Sequence, residues 1–205
     1  DDVKNKKIIG GRAGGMPEMI LEYVLKRNNI NPSKDVEIIQ NLQFSSTASA
    51  FASGLGDFTI EFEPSAFTLE KQNKGYIALP MSKSSGIIPY TSYMASKEFI
   101  KNNPEKIQHF TNAIYKAQMW VNTHSAKEIA EVIHPYFKEN NISELSVMID
   151  RYLKQDVWNI TPLFLEKDFN LLQNILDSSG ELNNRVDFND LVNNSFSKNS
   201  IKCFK

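Results

Sequence analysis

The sequence predicts an α/β fold in two parts. A lobe with a mainly parallel sheet flanked by helices covers residues 6–89, and a largely helical part covers 90–205. Three observations carry this. Short apolar runs of strand character alternate with helix-like runs as far as Pro89, the pattern of β-α-β units and a parallel sheet. Beyond Pro89 the apolar residues recur mostly at helical spacing. One strand-like run at the start of the second part, "YTSYMAS" (Tyr90–Ser96), has no strand-like neighbour of its own.

Lys7-Ile8-Ile9 reads as the end of a first strand. Pro17 to Asn28 reads as a helix. Pro17 suits a first turn, where its missing N–H is not needed. Glu18 favours the positive end, and Lys26 and Arg27 favour the negative one. Asn28 or Asn29 supplies a left-handed stop. "DVEII" (35–39) is a second strand, Ser45 to Gly54 a short helix, and "DFTIEFE" (57–63) a third strand that alternates cleanly. Pro64 opens another helix, and "GYIALPM" (75–81) is a fourth strand.

In the second part, Asn103-Pro104 begins a long helix with Ile107, Phe110, Ile114, Ala117 and Val121 on one face. Ser125 and Glu128 form a capping box for the next helix, which Pro135 ends. Further helices start at Ser143 and Glu166, and a short one lies around Phe188–Val192. The tail from Asn193, rich in Asn, Ser and Lys, is expected to be mobile.

Composition narrows the function classes. With 205 residues and 41% apolar content there is ample material for a core. A net charge of −1 with no basic stripe speaks against nucleic acid as partner. The single cysteine, Cys203, allows neither an internal disulfide nor a zinc cluster. The three histidines, His109, His124 and His134, stand apart from one another and from any acidic cluster, so no metal is expected. There is no Gly-x-Ser-x-Gly elbow and no credible Cys–His pair, and no catalytic residues are assigned. No cofactor is expected. The chain begins at Asp1 without methionine and reads as a processed or trimmed product whose targeting segment lies outside it.

The glycine-rich stretch "GGRAGGMPE" (10–18) raises the question of a phosphate loop. A Walker loop requires Gly-Lys-Ser/Thr, but Gly15 is followed by Met16 and Pro17. The dinucleotide spacing Gly-x-Gly-x-x-Gly is also absent. What remains is a glycine turn (Gly14, Gly15, Met16) at a helix N-terminus, with Arg12 beside it. Free N–H groups there suit a small anion or a polar ligand. Glu63, ending the third strand, is placed to accept hydrogen bonds from an amine or amino-heterocycle, because open α/β sheets bind ligands at the carboxyl ends of their strands. Glu61 shares its strand face and reads as solvent-facing. Among Phe44, Tyr90, Tyr93 and Trp120, Tyr90 is the best candidate to meet a flat ligand, since it lies where the chain passes between the two parts.

The strings "GGRAGGMPEMILEYVLKRNNINPSKDVEII", "GDFTIEFEPSA" and "PYTSYMASKEFIKNNPEKIQHFTNAIYKAQMWV" resemble the substrate-binding proteins of ABC importers. More narrowly, they resemble the nitrate/sulfonate/taurine (SsuA-like) group, which also includes binders of thiamine-pyrimidine precursors. The resemblance implies a periplasmic-binding-protein-like fold of two lobes that close on a small solute. It further implies an extracytoplasmic location, periplasmic or as a membrane-anchored lipoprotein, and an ABC permease as partner. Residues 6–89 correspond to the second lobe, and 90–205 to the crossover and the helical C-terminal part of the first. The opening segment of that first lobe has no counterpart, so the chain is expected to be a fragment and a rearranged or swapped oligomer is possible. The turn at Gly14-Gly15-Met16 corresponds to the ligand-contacting loop, Glu63-Pro64 to the end of a cleft-facing strand, and Tyr90 to the crossing. The ligand stays open between a sulfonate, taurine or nitrate and an aminopyrimidine. The rival readings are a pyrimidine synthase on the same fold and the effector-binding domain of a regulator.

Overall fold

The computed structural model describes residues 2–204. The chain forms two compact units. One takes the chain as far as Ile88 together with Asn170–Arg185, and the other takes Pro89–Phe169 and the chain from Val186 onward. The stretch 170–185 therefore returns to the first unit, whereas the sequence reading placed all of 90–205 in the second part.

The first unit is built on a three-stranded parallel sheet, β1 (Lys7–Ile9), β2 (Glu37–Ile39) and β3 (Phe58–Thr59), in the order β2-β1-β3. Ile8 pairs with Ile38 on one side and with Phe58 on the other. Ile8 and Ile9 are both fully buried although they point to opposite faces, as expected for a central parallel strand covered on both sides. Helix α1 (Met16–Arg27) connects β1 to β2 and carries Pro at its start, Glu18 in its first turn and Lys26 and Arg27 in its last. Leu21 and Leu25 of α1 join Ile8, Ile30 and Val36 in the core, with Ile38, Phe58, Ile60 and Met81 packed against it. Asn29 takes the left-handed conformation (φ 57°) that stops α1, as its residue type predicts. Helices α2 (Thr47–Ala52), α3 (Ser65–Lys71) and α4 (Met81–Ser85) complete the run to residue 88.

The second unit is helical: α5 (Lys97–Asn102), α6 (Pro104–Thr123), α7 (Ala126–Ile133) and α8 (Ile142–Lys154). Helix α9 (Glu166–Ser178) starts in this unit and from Asn170 belongs to the first, and α10 (Phe188–Leu191) and α11 (Ser195–Cys203) belong to the second. The expected capping box of Ser125 and Glu128 is present on α7. A second box, Asn141 with Glu144, starts α8 one residue ahead of the expected Ser143. The apolar faces of α7 (Ile129, Ala130) and α8 (Leu145, Met148, Ile149) are buried.

Three expectations are corrected. Residues 75–80, expected as a fourth strand, pair with no strand among the described residues. Tyr76 is 85% exposed, and Met81 already belongs to α4. Tyr90–Ser96 likewise forms no strand among the described residues, and Tyr93 and Met94 are exposed. An apolar alternating run becomes a strand only where a partner's N–H and C=O groups meet it. The tail after Asn193 is ordered as α11. Ser200 is wholly buried, its hydroxyl 2.7 Å from Asn112 Oδ1 and 3.0 Å from Gln108 Nε2 on α6.

Candidate functional site

All three strands of the parallel sheet end on the same side, and their exits converge. β1 runs into Gly10–Gly15, β2 into Gln40–Phe44, and β3 into Ile60–Pro64. The first two exits are laced together. Gly10 N–H donates to Ile39 O (3.1 Å), Ala13 N–H to Gln40 O (3.0 Å) and Leu42 N–H to Gly11 O (3.3 Å), and Arg12 bridges to Asn41. Gly10 is closely packed: a Cβ there would stand 3.0 Å from Ile38 Cγ2 and 3.2 Å from Glu18 Cγ, so both side chains would have to shift. Gly14 is required by conformation, with φ +69°.

Glu18 lies under this loop, 3% exposed. Its Oε1 accepts from Gln40 Nε2 at 2.8 Å and its Oε2 from Gly14 N–H at 3.3 Å. Burial, then the neighbouring Glu22 carboxylate, push the Glu18 carboxyl up to about 7, against the opposing pull of the Gly14 and Gln40 hydrogen bonds. Glu22 is itself paired with Lys26 at 2.9 Å. A second carboxylate, Glu181, lies over Gly14, 2.8 Å from where a Cβ would stand.

At the third exit, Glu61 is half-buried and accepts from Thr59 Oγ1 at 2.9 Å. The fully buried Thr47 also hydrogen-bonds it, and burial raises its carboxyl above the ordinary value. The single proton of the Thr47 hydroxyl is shared between Glu61 and Phe44 O, which lies 2.8 Å away. The Phe44 and Phe62 rings meet at 5.1 Å between centroids, and Phe62 is 39% exposed. Thr47 thus links Glu61 of the third exit to the backbone of Phe44, whose ring meets that of Phe62. Glu63 lies two residues on, and its Oε2 accepts from Phe67 N–H at 2.9 Å, capping α3.

Of the residues singled out by sequence, Arg12, Gly14, Gly15 and Met16 fall on the loop and first turn of α1, where Gly15 is the N-cap. Arg12 is exposed, with its side chain folded over Gly15. Glu63 is engaged in capping α3. Tyr90 belongs to the second unit, 44% exposed, with burial raising its phenol. Sequence reasoning did not single out Glu18 or Gln40, read Glu61 as solvent-facing, and preferred Tyr90 to Phe44 as the ring to meet a ligand. The Thr59-x-Glu61 spacing, which puts both side chains on one strand face, was the available signal for Glu61. Among the described residues no group of three or more His, Cys, Asp or Glu is placed to hold a metal ion, and no helix is long and apolar enough to cross a membrane.

The fold is periplasmic-binding-protein-like. It matches a protein of Bordetella bronchiseptica RB50 with a TM-score of 0.65 at 19% identity, over 99% of this chain and 66% of that one. It also matches a protein of Methylobacillus flagellatus KT described as a "putative sulfonate ABC transporter, periplasmic sulfonate-binding protein SsuA". There the TM-score is 0.72 at 23% identity, over 98% of this chain and 61% of that one. The chain belongs to the NMT1-like family, whose model matches residues 2–134. It is 44% identical over 193 residues to the "Putative binding protein YtlA" of Bacillus subtilis (strain 168), covering 94% of this chain and 58% of that relative. The chain therefore spans less than two thirds of the length of the relatives it matches.

Proposed function

We propose that this chain is the ligand-gripping part of an extracytoplasmic solute-binding protein of an ABC importer. It captures a small organic solute at the carboxyl ends of its parallel strands and delivers it to a membrane permease. The observation that carries the reading is the convergence of three strand exits on one polar and aromatic cluster, the place where open α/β sheets bind ligands. The names of the relatives, a binding protein and a periplasmic sulfonate-binding protein, support binding rather than catalysis. The Gly14-Gly15-Met16 turn, Arg12 and Glu63, on the same strand exits, are the further proposed ligand contacts of this unit, and Tyr90 is a proposed ligand contact of the other unit. Capture by lobe closure, as the family resemblance implies, is a population shift driven by contacts present only in the closed state.

Thermal-shift and calorimetric screens of the full-length protein against small nitrogen heterocycles, amines, sulfonates and nitrate test this. Saturable one-to-one binding that stabilises the protein is the expected result, since a ligand that binds only the folded state raises its stability. Turnover of a bound compound, seen by mass spectrometry, sinks the reading in favour of an enzyme.

A further inference from the structure

Among the described residues Glu18 is the one acidic or basic side chain buried from solvent. A lone charge taken out of water is costly, so a buried carboxylate ordinarily keeps a cation beside it. Glu18 has none. Two of its hydrogen bonds come from uncharged donors, the Gln40 amide and the Gly14 N–H. The third joins it to another carboxyl, Glu22, one turn further along α1. Ionised carboxylates only accept, so a hydrogen bond between two carboxyls requires a proton on one of them. The surrounding charges do not relieve this. Lys26 is committed to Glu22 at 2.9 Å and to Ser178 O at 2.8 Å. Arg12, the one charged residue of the glycine loop, is exposed and folded over Gly15. The returning stretch 170–185 brings a further carboxylate, Glu181, to Gly14. The β2 exit, Gln40–Phe44, carries no charge. Helix α4 packs on α1 and carries Lys83, next to the Ser84 carbonyl that accepts from Arg27 in the last turn of α1, away from Glu18.

We propose that Glu18 and Glu22 share one proton and work as a proton-operated latch on the glycine loop, closed while the proton is held and loosened when it is lost. With the proton in place, Glu18 joins Glu22, the β2 exit and the loop in one set of hydrogen bonds. Loss of the proton breaks the bond to Glu22 and leaves two like charges one helical turn apart. Gln40 and Gly14 favour the ionised form, but burial and Glu22 outweigh them. Water reaches Glu18 only when the loop above it lifts, so opening of Gly10–Gly15 is what relieves the ionised carboxylate. The closed loop holds its proton up to about pH 7, and the opened loop releases it in the ordinary carboxyl range near 4.5. Opening therefore becomes easier as pH rises across that interval, and levels off above it. The loop is firm in acid and looser at neutral pH, whichever solute the sheet edge takes.

Hydrogen exchange of the protein between pH 4.5 and 8.5, with each rate divided by the intrinsic rate at that pH, tests the latch. Ala13 and Leu42, whose N–H groups donate to Gln40 O and Gly11 O, report on the loop. Glu37 and Asp57, which donate to Lys6 O and Lys7 O at the other end of the sheet, are the controls. Loop protection is expected to fall by up to about tenfold per pH unit between pH 5 and 7, to drop below that of the controls, and then to level off. Glu18→Gln, which carries no charge at any pH, removes the fall. Glu22→Gln, outside the loop, reduces it, and decides alone if near-UV circular dichroism shows Glu18→Gln unfolded. Loop and control amides of equal protection at every pH exchange only by global unfolding, and that result overturns the latch. Loop protection that is flat in the wild type, or that falls as steeply in a folded variant, overturns it as well.

Discussion

Gln40 Nε2 donates to Glu18 Oε1 at 2.8 Å, tying the exit of β2 to the first turn of α1 beneath the glycine loop. Gln40 and Gly14 between them bind both oxygens of a carboxyl that has almost no water. The arrangement joins two strand exits through one titratable group.

That group makes stability depend on pH. The Glu18 carboxyl titrates near 7 in the folded state and near 4.5 in the unfolded chain, so the folded state holds the extra proton between those values. Its contribution is fully present below pH 4.5, declines as pH rises to 7, and is lost above. At about 1.4 kcal/mol per pKa unit the loss is at most about 3–4 kcal/mol. Glu18→Gln, which stays neutral, is expected to flatten the fall in melting temperature between pH 5 and 8. An unchanged slope in the variant rules Glu18 out as the source.

Gly14→Ala is expected to cost about 1–2 kcal/mol, read from a urea midpoint, because of its left-handed backbone. The nearby Glu181 carboxylate is the tip of a flexible side chain and can move aside. Adding Glu181→Ala should therefore restore little of the loss. Full restoration would show that crowding, not φ, makes glycine necessary there.

Glu63→Ala removes the carboxylate that receives Phe67 N–H. Loss of such a cap costs about 1 kcal/mol. Hydrogen exchange in the first turn of α3 should speed up, with β1 and β2 unaffected. Equal acceleration across the sheet would contradict a local capping role.

Ser200→Ala strips a buried hydroxyl from the contact between α11 and α6, leaving Gln108 and Asn112 short of a partner. The expected loss is about 1–3 kcal/mol. Amides of α11 should become protease- and exchange-sensitive in the variant. Wild-type amides there that already exchange freely would contradict the ordered tail.

Local chemistry was legible in the sequence wherever it acts within a few residues. Pro17 with Glu18 marked the start of α1, Asn29 its end, and Ser125 with Glu128 the start of α7. The Asn141–Glu144 box works by the same chemistry but was masked by Ser143, an equally good cap type. The tail was misread because α11 buries Ser197 and Ser200, so its packed face carries no apolar periodicity. The runs at 75–81 and 90–96 were misread because strand formation depends on a distant partner, which apolar alternation cannot supply. At the site, strand alternation put Glu61 and Glu63 on one face. What separates their roles is where β3 stops: pairing ends at Thr59, which leaves Glu61 beside Thr47 and Glu63 at the head of α3.

The strand order β2-β1-β3 has a consequence for the chain as it is made. Of these three strands the central one is made first, and its neighbours follow roughly 30 and 50 residues later. Ile8 and Ile9, wholly buried in the finished sheet, wait for β2 while α1 is synthesised and again until β3 emerges. Two distant closures, rather than one hairpin, then complete the sheet, so nascent-chain folding should be paced by loop closure and sensitive to the length of the 40–57 connection. The brevity of the strands, three residues at β1 and two at β3, limits how much sticky edge is on offer during that interval.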